Sequence, residues 1–286
     1  MVKYGILWLV LSIQIFAQPF YPEPEYKMTS SLFFNDAVAE VYNGRYISNS
    51  KTIELAIAHQ NKEWDYDWFL LATVIPSSYG HFGFGYSNYG MNALPIVKQD
   101  NIGSYLSGTS TDTFEAIHLS YSPNLSWANV TTTVKLIERR LIDQVANAIK
   151  VDFRITSPLV FNQQLGIRSH YFLGTDYTWT DGSTEELPKY FSLFFIQPFQ
   201  IARILFEYNH CTNYDELSSI FTQLGMQLGD DVEIIAAYQT SKTSTQLTYG
   251  SELKVTPIFK TRYLLTNDFN AYFNETMHNI AIGVTF

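Results

Sequence analysis

A histidine followed two positions later by a hydroxyl residue is a spacing that nucleophilic catalysis can use, because the imidazole takes the proton of the attacking hydroxyl. The stretch EYNHCTN, Glu207 to Asn213, holds such a pair in His210 and Thr212. Two features weaken it. Threonine is β-branched, so its hydroxyl is more hindered than that of serine. No acid that would orient the imidazole is identifiable. His118 and Ser120 repeat the spacing and read as two inward residues of one strand. The single cysteine, Cys211, excludes an internal disulfide and a thiolate zinc cluster. There is no metal-ligand spacing, phosphate loop or pair of catalytic carboxylates. The expectation is a protein that is not an enzyme and needs no cofactor.

The second chemically capable set is basic. Lys150, Arg154, Arg168, Lys260 and Arg262 each alternate with apolar residues. As a group they suit the carboxylate headgroup of a ligand, or a structural network with their acidic neighbours. Phe194 and Ile196 in FSLFFI, together with Phe221, place apolar side chains among them. These three suit the lining of a hydrophobic ligand path, or packing against a plug.

The elements that must carry these residues are strands. In IKVDFRIT, Ile149, Val151, Phe153 and Ile155 point one way and Lys150, Asp152, Arg154 and Thr156 the other. Only a period of two segregates them; a helix would scatter them around its circumference. LGIRSHYFL sets Leu165, Ile167 and Tyr171 against Arg168 and His170. IARILFEY sets Ile204, Phe206 and Tyr208 against Arg203 and Glu207. About fourteen strands follow from such patterns. They start near Thr52, Asp67, Gly80, Thr113, Ser126, Asn147, Gln164, Lys189, Gln200, Leu217, Asp231, Thr245, Pro257 and Met277. Every second connection is short, as in IPSSYG, QPFQ and LGDD, with the turn chemistry of proline and Gly-Asp. The longer ones include MNALPIVKQDNIGSYLSGTSTD, GTDYTWTDGSTEELP and NDFNAYFNET.

Composition narrows the class. Charged residues are 16% of the 286, aromatic residues also 16%, and the formal net charge is -9. With no basic stripe, nucleic acid is not an expected partner. Residues 1–17 read as a secretory signal peptide: Lys3 supplies the positive start, Gly5 to Phe16 the apolar run, and Ala17 a small residue for cleavage. Residues 18–50 read as an N-terminal periplasmic or plug segment, and 51–286 as the strand domain. Alternating strands build a soluble sandwich, or a barrel in a membrane with its apolar face toward lipid. The heavily charged opposite face, the tyrosines near strand ends (Tyr86, Tyr89, Tyr121, Tyr171, Tyr208, Tyr238), the signal and a strand at the very C-terminus favour the barrel. The fold class is therefore all-β: a transmembrane antiparallel up-and-down barrel of about 14 strands, in the outer membrane among its lipids.

Several segments resemble the FadL-like outer-membrane barrels, in particular their PorV/PorQ-like branch. SKTIELAIAHQNKEWDYDWFLLATVIPSSYGHFGFGYSNYG resembles the first three strands of that family, and LSYSPNLSWANVTTTVKLIERRLIDQVANAIKVDFRI the next segment. FNDAVAEVYNG, Phe34 to Gly44, is similar to the segment ahead of the barrel, although its Asn43-Gly44 lacks the family's Pro-Ala and no glycine-rich run precedes Asp36. ETMHNIAIGVTF is similar to the terminal strand. The resemblance implies a short N-terminal plug within the barrel and transport of hydrophobic small molecules across the outer membrane. Its alternative is a type IX secretion-associated barrel that binds exported proteins. A second alternative, an outer-membrane lipid hydrolase, rests on the similarity of EYNHCTN to the N-H-x-S-N motif of outer-membrane phospholipases, with Thr212 in the serine's place. The resemblance also implies that barrel-assembly machinery reads the final strand, whose lipid-facing row is Ile280, Ile282, Val284 and Phe286.

Overall fold

The computed structural model describes residues 41–42, 52–60, 66–99, 104–141, 144–157, 163–214, 217–242, 244–270 and 274–286. The expected leader, 1–17, and all of 18–50 except Val41 and Tyr42 lie outside the described residues. The strands are β1 (Thr52–Gln60), β2 (Tyr66–Ser77), β3 (Gly80–Gln99), β4 (Ser104–Pro123), β5 (Asn129–Leu141), β6 (Gln144–Thr156), β7 (Gln164–Gly174) and β8 (Tyr177–Trp179). They continue as β9 (Thr184–Glu185), β10 (Tyr190–Pro198), β11 (Ala202–Cys211), β12 (Ser219–Leu228), β13 (Val232–Ser241), β14 (Ser244–Thr256), β15 (Phe259–Asn270) and β16 (Asn274–Thr285).

All pair antiparallel in one sheet of 16 strands, in the order β5-β4-β3-β2-β1-β16-β15-β14-β13-β12-β11-β10-β7-β6-β8-β9. The first strand pairs with the last, Thr52 opposite Thr285. β5 also pairs with β6, from Asn129 opposite Thr156 to Leu141 opposite Gln144. Every strand but the short β9 therefore has a hydrogen-bonded neighbour on both sides. The count departs from the expected fourteen because GTDYTWTDGSTEELP is not a plain loop. Tyr177–Trp179 and Thr184–Glu185 pair with each other, and β8 also pairs with β6 where β7 has ended. Arg139 holds this small hairpin down: it makes two bonds to Asp112 (3.1 and 2.9 Å) and one to Glu185 (3.3 Å). MNALPIVKQDNIGSYLSGTSTD is likewise not a loop, because β3 and β4 continue into it as a ribbon. Leu94 pairs with Ser110 and Gln99 with Ser104, beyond the last pairings to β2 at Met91 and to β5 at Asp112.

The alternation read from the sequence is physical. Along β12 and β13, residues on one face are buried and those on the other exposed, in the patterns BeBiBeBeee and iBeBeBeiii (B buried, e exposed, i between). The exposed face is the apolar one: Ile204, Phe206, Tyr208, Ile220, Leu224, Ile234 and Tyr238 all lie on it. The buried face carries charge, including Lys135, Lys150, Asp152, Arg154, Arg168, Glu207 and Arg262. Apolar residues outside and ionic residues inside invert the arrangement of a soluble sandwich. On β16 Ile280 and Ile282 are exposed, as is Phe286 just beyond it, while Asn279 and Ala281 are buried.

Tyr171 breaks the alternation and corrects the expectation that it faces outward. It is buried and has a left-handed φ of 55°. The register with β6 jumps at this point, between Val151 opposite Leu173 and Phe153 opposite Ser169, so β7 carries extra residues. Asp152 fills the gap. Its carboxylate accepts from the Tyr171 amide at 2.6 Å, and His170 Nδ1 and Lys135 Nζ reach it at 2.7 and 2.8 Å. A left-handed tyrosine is costly, and these contacts over-determine it.

Removing one partner from a buried ionic cluster strands the others, at roughly 3–5 kcal/mol. Asp152→Ala is therefore expected to lower markedly the temperature at which the purified protein loses its folded, boil-sensitive gel mobility. Asp152→Leu combined with Lys135→Met removes both charges and is expected to lose less.

Candidate functional site

The interior has two differently built sides. On the side of β3 to β6 it is occupied. Val41 and Tyr42, which are helical, are buried against Leu70, Ala72 and Ala116. Gly83 and Gly85 make the space: a Cβ on either would lie 2.7 Å from a Val41 methyl. The Tyr42 hydroxyl donates to the Tyr86 carbonyl at 2.8 Å, its ring lies 4.4 Å from that of His118, and Thr133 donates to the Val41 carbonyl at 3.3 Å. His118 in turn bonds Ser87 at 2.9 Å. His118 and Ser120 are both buried here.

On the side of β10 to β13 the inner face is layered by register. Nearest the short turns, Ile196, Leu205, Gln223 and Ala237 stand side by side across four strands. The next row is Gly166, Phe194, Glu207, Phe221 and Gln239. Above it come Arg168, Ser192, Asn209 and Ser219. Phe194, Ile196, Leu205, Phe221 and Ala237 pack as one buried apolar cluster. The Phe194 ring lies on Gly166, where a Cβ would come within 2.1 Å of it, and the Arg154 guanidinium sits 4.2 Å from its centroid.

The basic residues singled out in the sequence are on the inner face but not in one cluster. Arg154 and Arg168 stand opposite each other on β6 and β7. Arg168 donates to Glu207 at 2.8 Å, and Arg154 to the Thr156 hydroxyl at 3.2 Å. Lys150 pairs with Asp176 at 2.9 Å. Partial burial pushes the Asp176 carboxyl up, but the Lys150 ammonium outweighs it and holds the group below the usual carboxylate range. Lys260 and Arg262 share Glu252 at 3.9 and 3.2 Å, toward the short-turn end. Arg203 and Glu233 form a further pair at that level. Phe194, Ile196 and Phe221, by contrast, come together in one cluster.

His210 and Thr212 do not work as a pair. His210 is exposed and lies 3.4 Å from Ser218, while Thr212 donates to the Lys189 carbonyl at 3.3 Å. Sequence reasoning missed Leu205 and Ala237, whose inward position follows from the alternation of their strands. It also missed the cluster at Asp152. Lys135, Asp152 and His170 are all inward by alternation, but the bulge that joins them leaves no periodic signal.

No family model matches the sequence, and no curated protein matches it. Solved structures do match in fold. The chain is similar to the CymD monoaromatic hydrocarbon channel, at a TM-score of 0.59 and 10% identity over 90% of this chain and 92% of that one. It is similar to the toluene transporter TbuX of Ralstonia pickettii, at 0.58 and 9% identity over 90% and 92%. A TodX monoaromatic hydrocarbon channel mutant gives 0.57 and 10% identity over 90% and 93%. The shared property is the barrel fold.

The glycine cradle yields a direct expectation. Gly85→Val fills the space that Val41 and Tyr42 occupy and displaces them. A cysteine placed at position 42 should then react with a water-soluble maleimide several-fold faster in the Gly85→Val background. An unchanged rate would mean that the cradle does not hold this segment.

Proposed function

We propose that this chain is an outer-membrane β-barrel that carries small hydrophobic molecules across that membrane. One observation carries the reading: a buried apolar cluster of Phe194, Ile196, Leu205, Phe221 and Ala237 on the inner face, separate from the apolar cluster that packs around Val41 and Tyr42. Among the described residues, the segment of Val41 and Tyr42 packs on the other cluster and not on this one. Apolar side chains facing a ligand path favour an apolar ligand by removing its surface from water. The fold likeness to hydrocarbon channels supports the same substrate class.

In this reading the sheet is a closed barrel, with the short connections on the periplasmic side and both termini there. Residues 1–17 direct export, the segment containing Val41 and Tyr42 is the plug, and barrel-assembly machinery reads the row ending at Phe286. The PorV/PorQ-like branch is proposed on the segments that resemble it, SKTIELAIAHQNKEWDYDWFLLATVIPSSYGHFGFGYSNYG foremost. A secretion-associated role, in which exported proteins bind, keeps one observation in its favour: the β3–β4 ribbon, which extends past its neighbours and leaves strand edges for another chain to pair with. The lipid-hydrolase reading has none, since His210 and Thr212 are bonded elsewhere.

Phe194 and Phe221 fill the inner face at their level, so a passing molecule must displace them. Expression in cells with an intact outer membrane is expected to raise the initial uptake of radiolabelled toluene. Phe194→Ala and Phe221→Ala should each raise it further, several-fold, by opening that level. Uptake no faster than in cells lacking the protein would contradict the transport reading.

A further inference from the structure

Glu207 is wholly buried, yet only half of its carboxylate is engaged. Oε1 accepts from Arg168 Nη2 at 2.8 Å, while Oε2, also buried, has no hydrogen-bond partner among the described residues. The position of that oxygen matters. Glu207 stands directly opposite Phe194 on one side and Phe221 on the other, all three on the inner face. A molecule that displaces either ring is brought beside Glu207.

Resting on the transport reading, we propose that Glu207 is a recognition point for a hydroxyl group, and that the molecules best taken are neutral, hydroxyl-bearing apolar compounds such as phenols. Three facts select that class. A buried acceptor left unbonded is costly, more so when it carries charge, so a ligand that donates to it gains more than it would in water. Arg168 already neutralises the Glu207 charge, and Arg154 stands opposite Arg168, so an ammonium ligand would meet two guanidiniums. A carboxylate ligand at the same point would bring two anions together in a low-dielectric interior. A hydroxyl meets neither obstacle, and the flanking rings accept its apolar body. A bare hydrocarbon fits the rings but leaves Oε2 without a donor.

The test compares p-cresol with p-xylene, which have nearly the same shape and differ by a hydroxyl for a methyl, and adds p-toluate. Each is titrated calorimetrically into the full-length, detergent-solubilised protein. The expected result is p-cresol bound about tenfold tighter than p-xylene, the gain of one hydrogen bond to a charged acceptor. p-Toluate should bind weakest. In the double variant Glu207→Leu with Arg168→Met, which removes the pair together, the preference for p-cresol should vanish while p-xylene still binds. The wild-type ratio stands on its own if that variant does not fold. p-Xylene binding as tightly as p-cresol, or p-toluate binding tighter, overturns the proposal and leaves the transport reading intact. Binding of none of the three overturns both.

Discussion

A peptide group inside a hydrocarbon layer has no water to bond, so every N–H and C=O must find its partner within the protein. In the membrane reading proposed above, that constraint shapes the whole sheet. β1 pairs with β16 and β5 with β6, which leaves no long strand with an open side. Along these paired strands, the period of two divides the residues between a buried face and an exposed one. Outside, the strands present Phe, Leu, Ile and Tyr; inside, they present groups that must satisfy one another. The charged residues follow suit, because burial is tolerable for an ion only when it is paired. Lys135 with Asp152, Arg168 with Glu207 and Arg262 with Glu252 are such pairs.

The buried face that results is uneven, and the proposed function rests on that unevenness. On one side, glycines on β3 admit Val41 and Tyr42, and Asp152 pins a bulge whose tyrosine turns inward. This side is filled by the protein's own groups. On the other, Phe194 and Phe221 flank Glu207, and apolar residues lie below them toward the short turns. The first side is built for rigidity. The second combines side chains that suit an apolar ligand with an acceptor whose second oxygen is unused.

Much of this was legible in the sequence because burial on one face imposes a strict period. The alternation in IKVDFRIT placed Lys150, Asp152 and Arg154 on the buried face, where they are found. It also placed Phe194, Ile196 and Phe221 there, against their hydrophobicity, since register and not polarity decides the side. What the period does not encode was not legible. The left-handed Tyr171 depends on the partner strand, and read alone it looks like one more outward aromatic. The β3–β4 ribbon was not legible because MNALPIVKQ lacks the strict alternation that marks the other strands. The strands β8 and β9 form on the end of β6, an edge that exists only once β7 has stopped. His210 and Thr212 had the spacing of a catalytic pair, but spacing along a chain says nothing about which neighbour each side chain finds across it.

The central claim is that the apolar face of this sheet meets lipid and the charged face encloses the interior. Nitroxide labels placed one at a time from Ile220 to Leu224 on β12, in protein reconstituted into a bilayer, test it most directly. Collision rates with oxygen, which concentrates in hydrocarbon, and with a water-soluble nickel chelate report the surroundings of each label. The account predicts high oxygen and low nickel accessibility at Ile220, Thr222 and Leu224, and low oxygen accessibility at Phe221 and Gln223. Free access of the nickel chelate to Ile220, Thr222 and Leu224 would contradict it, because that is the pattern of a face in water.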